Sequence, residues 1–325
     1  MTSQMRTEIE EIPAAAARLL AADWPQVPPP KRLVSIAARG SSGHMGVYLR
    51  YLIETWLGLP VSAVAMSVAS VYGRNVDLSD TSLIAISQSG KSPDLLAAVK
   101  AAKDAGAQTC ALVNDTSAPL ADAVHAVLPL SAGPEKAVAA TKSVVNSGLG
   151  AYRLVANWAG KPDNSAAMPD LLKQALTCDW ADWGHALQNA SAAYVIGRGP
   201  GYGVAREIAL KITETLAIPA LAFSAAEFRH GPRAGINPAT PILVLGQADE
   251  TLADITSLAD DLLKTGVPLF STVGAKALEA QGHDDAALTP LLWLPPAYRV
   301  LEKTALAKGL DPDAPPGLQK VTKTV

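Results

Sequence analysis

Apolar residues along the chain fall into short runs, each closed by a glycine or proline and followed by a longer stretch with helical spacing. Leu33 to Ala37 is such a run. A helical pattern from Met45 to Trp56 follows it, and after Pro60 a second strand-like run covers Val61 to Ala65. Farther on, Leu83 to Ile86 and Thr109 to Val113 read as strands separated by a helix from Asp94 to Ala105. Short β-branched and apolar runs alternating with helices of about 10 to 15 residues predict a mostly parallel sheet with helices on both faces.

The pattern occurs twice. Leu33 to Arg39 runs apolar into Arg39-Gly40, and Ala192 to Arg198 runs apolar into Arg198-Gly199, an offset of 159 residues. Carried forward without a gap, the same offset pairs Leu57 with Leu216, Pro60 with Pro219, Ala63 with Ala222, Thr81 with Thr240 and Gln88 with Gln247. Identities that persist in one register point to duplication. The expected fold class is therefore α/β, with two tandem doubly wound parallel-sheet domains, helices on both faces of each sheet, and a short C-terminal tail. The linker-like stretch from Gly160 to Ser165 sets the boundaries: residues 1–165 form an N-terminal segment and the first domain, 166–295 the second domain, and 296–325 a C-terminal helix and tail.

Composition narrows the function classes. Of 325 residues, 49% are hydrophobic and 18% charged, enough apolar side chain for real cores. The 27 Lys plus Arg balance 30 Asp plus Glu with no basic run, so no nucleic-acid partner is expected. The acidic N-terminus lacks a secretory signal and no apolar run approaches membrane-spanning length, so the expectation is no membrane partner and a cytoplasmic location. Cys110 and Cys178 are too few for a disulfide framework, and the five histidines (44, 125, 185, 230 and 283) show no metal-binding spacing. Neither a metal nor a cofactor is called for.

The candidate chemistry begins at Ser87-Gln88-Ser89-Gly90-Lys91-Ser92, where the strand Leu83 to Ile86 gives way to a helix. Open α/β sheets bind ligands beyond the carboxyl ends of their strands, and a helix N-terminus offers unpaired N–H groups to an anion. Ser87, Ser89 and Ser92 can donate to phosphate oxygens, and Gly90 lets the backbone come close. A second hydroxyl-rich corner is Gly40-Ser41-Ser42-Gly43. The same serines also fit as helix caps. The equivalent corner of the second copy reads Gly246-Gln247-Ala248-Asp249, where the hydroxyls are gone and a carboxylate suits capping while repelling an anion.

On the helix Val204 to Leu216, Glu207, Lys211 and Glu214 stand at i, i+4 and i+7 and share one face. They read equally as proton-transfer machinery and as an exposed charged stripe, with the apolar neighbours Ile208, Ala209, Leu210 and Ile212 favouring burial. His230, before Gly231-Pro232 in a loop, suits proton transfer near neutral pH or is simply solvated. Lys320 reads by itself as a solvated tail lysine.

Several ordered segments together resemble the sugar-isomerase (SIS) family, in particular the isomerase half of glutamine:fructose-6-phosphate amidotransferase and the SIS-type glucosamine-6-phosphate deaminases. They are Arg39-Gly40-Ser41-Ser42, Ser87-Gln88-Ser89-Gly90, Val138-Ala139-Ala140-Thr141-Lys142, Gly197-Arg198-Gly199 with Glu207 to Glu214, and Phe228-Arg229-His230-Gly231-Pro232. The resemblance implies that Ser42, Ser87, Gln88, Ser89 and Ser92 bind the sugar phosphate, with Val138 and the loop around Ala140 lining the sugar. It implies Glu214 as base, His230 as the ring-opening residue, Lys320 as the lysine that condenses with a ketose carbonyl, and Glu207 and Lys211 in support. Two departures stand out: Ala140 replaces the family's usual Ser or Thr, and the tail reads Pro315-Pro316-Gly317-Leu318-Gln319-Lys320 in place of Pro-Arg-Asn-Leu-Ala-Lys.

The family's amidotransferase exposes a cysteine nucleophile at its mature N-terminus, whereas this chain starts Met1-Thr2-Ser3. The expectation is a stand-alone enzyme that converts glucosamine 6-phosphate to fructose 6-phosphate and ammonia. An aldose–ketose isomerase for another sugar phosphate and a non-catalytic sugar-phosphate sensor are the alternatives, and Glu214, His230 and Lys320 together argue against the sensor. The resemblance also implies a homodimer.

Overall fold

A computed structural model of the chain describes residues 2–320. Its first half runs α1 (Gln4–Glu10), α2 (Ile12–Ala21), β1 (Leu33–Ala37), α3 (Gly40–Trp56), β2 (Val61–Ala63), α4 (Ser67–Ser70), β3 (Thr81–Ser87), α5 (Pro93–Asp104), β4 (Gln108–Val113), α6 (Pro119–Ala123), β5 (Ala126–Pro129) and α7 (Lys142–Trp158). The second half continues with α8 (Met168–Ala175), α9 (Ala181–Gln188), β6 (Ala193–Gly197), α10 (Gly201–Leu216), β7 (Ala220–Ser224), α11 (Ala225–His230), β8 (Ile242–Val244), α12 (Leu252–Leu263), β9 (Leu269–Ser271) and α13 (Leu294–Ala307).

The chain divides into two compact units. One comprises residues 14–135 and 142–166 together with 319–320; the other comprises 2–13, 136–141 and 167–318. The first is built on a five-stranded sheet, all parallel, in the order β2-β1-β3-β4-β5. All seven residues of β3 are buried, as a central strand covered on both faces requires. On one face Leu95, Ala98, Val99 and Ala102 of α5 pack on Leu83 and Ala85; α3 and α7 pack against each other and against β3 and β4 respectively.

The other unit carries a four-stranded parallel sheet in the order β7-β6-β8-β9. Ile255, Leu258 and Leu262 of α12 close over Ile242 and Val244 of β8 and Ile196 of β6. Helix α13 packs along α10 and α9 with Leu294, Tyr298, Leu301 and Ala305 buried. It begins at Leu294, two residues before the helical pattern is first legible in the sequence.

The duplication is visible in the strand registers. Ile36 of β1 pairs with Ile84 of β3, and Val195 of β6 pairs with Leu243 of β8; Ser35 pairs with Ser62, and Tyr194 with Leu221. Each pair in the second sheet lies 159 residues beyond its counterpart in the first, as α12 lies beyond α5. In each sheet the chain leaves the first strand for one side and returns on the other, so a topological switch point falls between β1 and β3 and again between β6 and β8. That is where open α/β sheets hold their ligands. Among the described residues, no helix is long and apolar enough to cross a membrane.

Candidate functional site

In the five-stranded unit the switch point is flanked by the N-termini of α3 and α5. Helix α3 begins at Gly40, ahead of the helical pattern that starts at Met45 in the sequence, so Ser41 and Ser42 occupy its first turn. The corner from Ser87 to Ser92 enters α5 through Ser92 as N-cap and Pro93 in the first turn. Ser87 is buried, and its Oγ accepts the Gly90 N–H at 2.9 Å; the Ser89 Oγ accepts the Lys91 N–H at 3.3 Å. Both hydroxyls shape the turn and keep their own proton to donate. Ser92 makes no side-chain capping bond, so its hydroxyl is not used by the helix that it starts.

Gly90 is required twice over. Its φ is +63°, and a Cβ there would lie 2.7 Å from the Cβ of Ala118. The cations around the corner already have partners. Arg39 Nε donates to buried Asp94 at 2.5 Å, and Lys91 Nζ to Asp115 at 2.9 Å. The Ser117 hydroxyl and then the Lys91 ammonium hold the Asp115 carboxyl down to about 2. What remains at the two helix N-termini is neutral: hydroxyls of Ser42, Ser89 and Ser92, the amide of half-buried Gln88, and backbone N–H groups. That donor set fits a phosphate without competing ion pairs.

The equivalent crevice of the other unit is filled. Gln247 is buried there, and its Nε2 donates to the Arg198 carbonyl at 3.0 Å and to Asp249 at 2.7 Å, while Asp249 Oδ1 accepts the N–H of Thr251 at the start of α12. A Cβ on Gly201, the first residue of α10, would stand 2.6 Å from Gln247 Oε1. The acidic cap and the amide occupy the place where the first copy offers hydroxyls.

Helix α10 carries three charges inward. Lys211 is fully buried with its Nζ 2.5 Å from Glu214 Oε2 and 3.3 Å from Glu207 Oε1, and the Tyr298 hydroxyl donates to the same Glu207 oxygen at 3.2 Å. The exposed-stripe reading is thereby excluded. Burial pulls the Lys211 pKa down, but the two carboxylates outweigh it and the net direction is up, so the lysine is a fixed cation. Glu214 alone of the three reaches solvent, with 18% of its side chain exposed, and Lys211 engages only its Oε2. A partly exposed carboxylate held at one oxygen has the chemistry to accept and return a proton.

In the same unit, residues 136–141 form a loop tied down by a carboxylate and a backbone carbonyl. Glu8 accepts the N–H groups of Lys136 and Ala137, and the Val138 N–H donates to the Asp313 carbonyl at 2.9 Å. Val138 and Ala140 are half-buried between buried Ala137, Ala139 and Thr141. His230 is the last residue of α11, not a loop residue, and is exposed. Lys320 is no solvated tail lysine: its Nζ lies 3.2 Å from Glu135 Oε2 within the five-stranded unit. The predicted residues thus fall into two groups. Ser42, Ser87, Gln88, Ser89, Ser92 and Lys320 belong to the five-stranded unit, and Val138, Ala140, Glu207, Lys211, Glu214 and His230 to the other.

Sequence reasoning missed Glu135, Tyr298 and the Arg39–Asp94 pair. Glu135 stands three residues before Val138 in a largely apolar stretch, which is a usable signal; the Tyr298 contact to Glu207 spans 91 positions and leaves no local trace. Cys110 is buried and its thiol is pushed up to about 12 by burial, which rules it out as a nucleophile. Among the described residues no cluster of three or more His, Cys, Asp or Glu is arranged to hold a metal.

Comparisons with known proteins agree with this layout. The SIS domain family model matches residues 30–155 and 186–288. An isomerizing glutamine–fructose-6-phosphate aminotransferase of Symbiobacterium thermophilum is 32% identical over 315 residues, covering 89% of this chain and 51% of that protein. The chain spans about half the length of the curated relatives it matches. Among solved structures, a Silicibacter pomeroyi protein assigned as a phosphosugar isomerase superposes with a TM-score of 0.88 at 35% identity, covering 96% of this chain and all of that one. A glucosamine-6-phosphate deaminase of Thermotoga maritima shares the fold with a TM-score of 0.81 at 20% identity, covering 99% of this chain and all of that one. The two sheets with one switch point apiece, the hydroxyl-lined helix N-termini of the five-stranded unit and these matches have one explanation: the chain belongs to the SIS-domain family of phosphosugar isomerases.

Proposed function

We propose that this chain acts on an amino-sugar 6-phosphate, converting glucosamine 6-phosphate to fructose 6-phosphate and ammonia. The observation that carries the proposal is the buried Glu207–Lys211–Glu214 array, in which a permanently charged lysine holds one oxygen of a partly exposed carboxylate. A charge so deeply buried is costly to a fold, and it is most simply explained by work done at Glu214. The phosphate is assigned to the hydroxyl corner before α5 together with Ser42. Val138 and the Ala140 loop are assigned to the sugar.

On this proposal each residue has a role. His230 passes a proton to and from the ring oxygen as the sugar opens. Glu214 carries the proton between C1 and C2 through an enol or enamine, and Lys320 condenses with the open-chain ketose carbonyl. The choice of sugar is supported by the relatives' names: they are glutamine–fructose-6-phosphate aminotransferases, and about half of each aligns with this chain. Isomerisation of another aldose phosphate uses the same base and phosphate corner without release of ammonia. Incubating the purified protein with glucosamine 6-phosphate separates the two. Fructose 6-phosphate and ammonia appearing in equal amounts are expected; tight binding with neither product rejects the deaminase.

A further inference from the structure

Glu135 has no role in the chemistry above, yet its side chain is wholly buried and donors from Ser143 and Lys320 converge on it. The backbone N–H of Ser143, in the first turn of α7, donates to Oε1 at 3.1 Å, the Ser143 hydroxyl donates to Oε2 at 2.6 Å, and Lys320 Nζ lies 3.2 Å from the same Oε2. Glu135, Ser143 and Lys320 all belong to the five-stranded unit. A carboxylate survives such burial only when paired and hydrogen-bonded, and these donors fix its position while leaving one oxygen on the lysine nitrogen.

We infer that Glu135 is the acid–base partner of Lys320, taking a proton from its ammonium to free the amine and returning that proton to the hydroxyl that departs as water. The inference rests on Lys320 being the condensing amine. An ammonium has no lone pair for attack, so Nζ first gives one proton to Oε2. The amine lone pair then adds to the carbonyl carbon of the open-chain ketose, the π pair moves to oxygen, and a proton passing from nitrogen to that oxygen completes the carbinolamine. Glu135 returns its proton to this hydroxyl, the C–O bond breaks with its electron pair on the leaving water, and the nitrogen lone pair closes the C=N bond. Ammonium and ketone have become iminium and water, and the carboxylate is ionised again. The departing oxygen is bonded to the carbon that bears the nitrogen, so a carboxyl 3.2 Å from Nζ is within reach of both.

The experiment is trapping with cyanoborohydride in the presence of fructose 6-phosphate. The reduced adduct is located by mass on the peptide that carries Lys320, and the affinity for fructose 6-phosphate is measured alongside. Wild-type protein is expected to label at Lys320. Glu135→Gln, which keeps the shape and a hydrogen bond to Ser143, should label on the order of 100-fold more slowly at an affinity within a few-fold of wild type. Glu135→Asp should recover most of the lost rate. Labelling of Glu135→Gln at the wild-type rate, or Glu135→Asp no faster than Glu135→Gln, overturns the assignment. If Glu135→Gln does not fold, Ser143→Ala keeps both the carboxylate and the lysine but loosens Oε2; labelling several-fold slower supports the role and an unchanged rate refutes it. Absence of any adduct at Lys320 in wild-type protein refutes the condensing lysine itself, a result distinct from normal labelling in the Glu135 variants.

Discussion

Lys211 Nζ stands 2.5 Å from Glu214 Oε2 on a helix most of whose residues are buried, so carboxylate and cation form one electrostatic unit. The unit includes Glu207, which shares the same ammonium from the other side. Removing the cation alone strands a buried carboxylate. Lys211→Met is therefore expected to lose about 3 to 5 kcal/mol of stability by urea denaturation. The double variant Lys211→Met with Glu207→Gln should recover most of that loss and still lack turnover. A Lys211→Met protein as stable as wild type would show that Glu207 is not charged in the fold.

The same lysine makes stability depend on pH at the alkaline end only. Burial opposes its charge, but Glu207 and Glu214 raise its pKa above the ordinary 10.5. A group with a raised folded pKa contributes fully below its unfolded value and loses that contribution as pH climbs through the folded one. Thermal melts should show no Lys211-dependent slope between pH 7 and pH 9 and a falling midpoint above about 10.5. In the double variant this alkaline fall should be shallower.

Substitutions at Glu214 and His230 should separate activity from stability. Glu214→Gln keeps an acceptor for Lys211 and is expected to lower kcat by about 10² to 10⁴-fold while binding of fructose 6-phosphate persists. His230 is exposed, so His230→Ala should shift stability by no more than about 0.5 kcal/mol and still slow turnover of the closed-ring sugar. Unchanged turnover in Glu214→Gln would remove it as the base.

The serines of the corner before α5 divide in the same way. Ser87→Ala leaves the Gly90 N–H without its partner in a buried turn and should cost about 1 to 3 kcal/mol of stability. Ser92 caps nothing with its hydroxyl, so Ser92→Ala should leave the melting temperature nearly unchanged. Its effect should fall on sugar-phosphate affinity, about 10 to 100-fold for one hydrogen bond to a charged group. Calorimetric titration of both variants distinguishes a capping serine from a binding one.

Much of this was legible in the sequence because duplication preserves spacing. Thr81 and Thr240 begin equivalent strand regions, and the ungapped offset even foretells the strand registers at Ile36 and Val195. Local signals also located the corner before α5, since Gly90 and Pro93 punctuate a strand-to-helix turn. What escaped depends on distant side chains. Whether Glu207 and Lys211 were buried was undecidable from their own helix, because the cover comes in part from Tyr298 on α13. Lys320 read as solvated because its partner, Glu135, lies 185 positions away. The start of α3 was misplaced because Gly40, Ser41, Ser42 and Gly43 have poor helix propensity, which tertiary packing overrides.

Two glycines at switch-point helices give a final discrimination between strain and space. Gly40 has φ +51° with nothing within 4 Å of an added Cβ, whereas Gly90 has φ +63° with Ala118 Cβ at 2.7 Å and Val113 Cγ2 at 3.1 Å. Gly40→Ala should therefore cost only the left-handed backbone term, about 1 to 2 kcal/mol. Gly90→Ala adds overpacking of roughly 1 to 3 kcal/mol, because neither neighbour is the free end of a flexible side chain. Relief of that strain would displace the Ser87–Gly90 turn, so Gly90→Ala should also weaken sugar-phosphate binding. Denaturation midpoints and affinities of the two variants test both parts; equal costs at the two positions would mean that the turn yields to the added methyl.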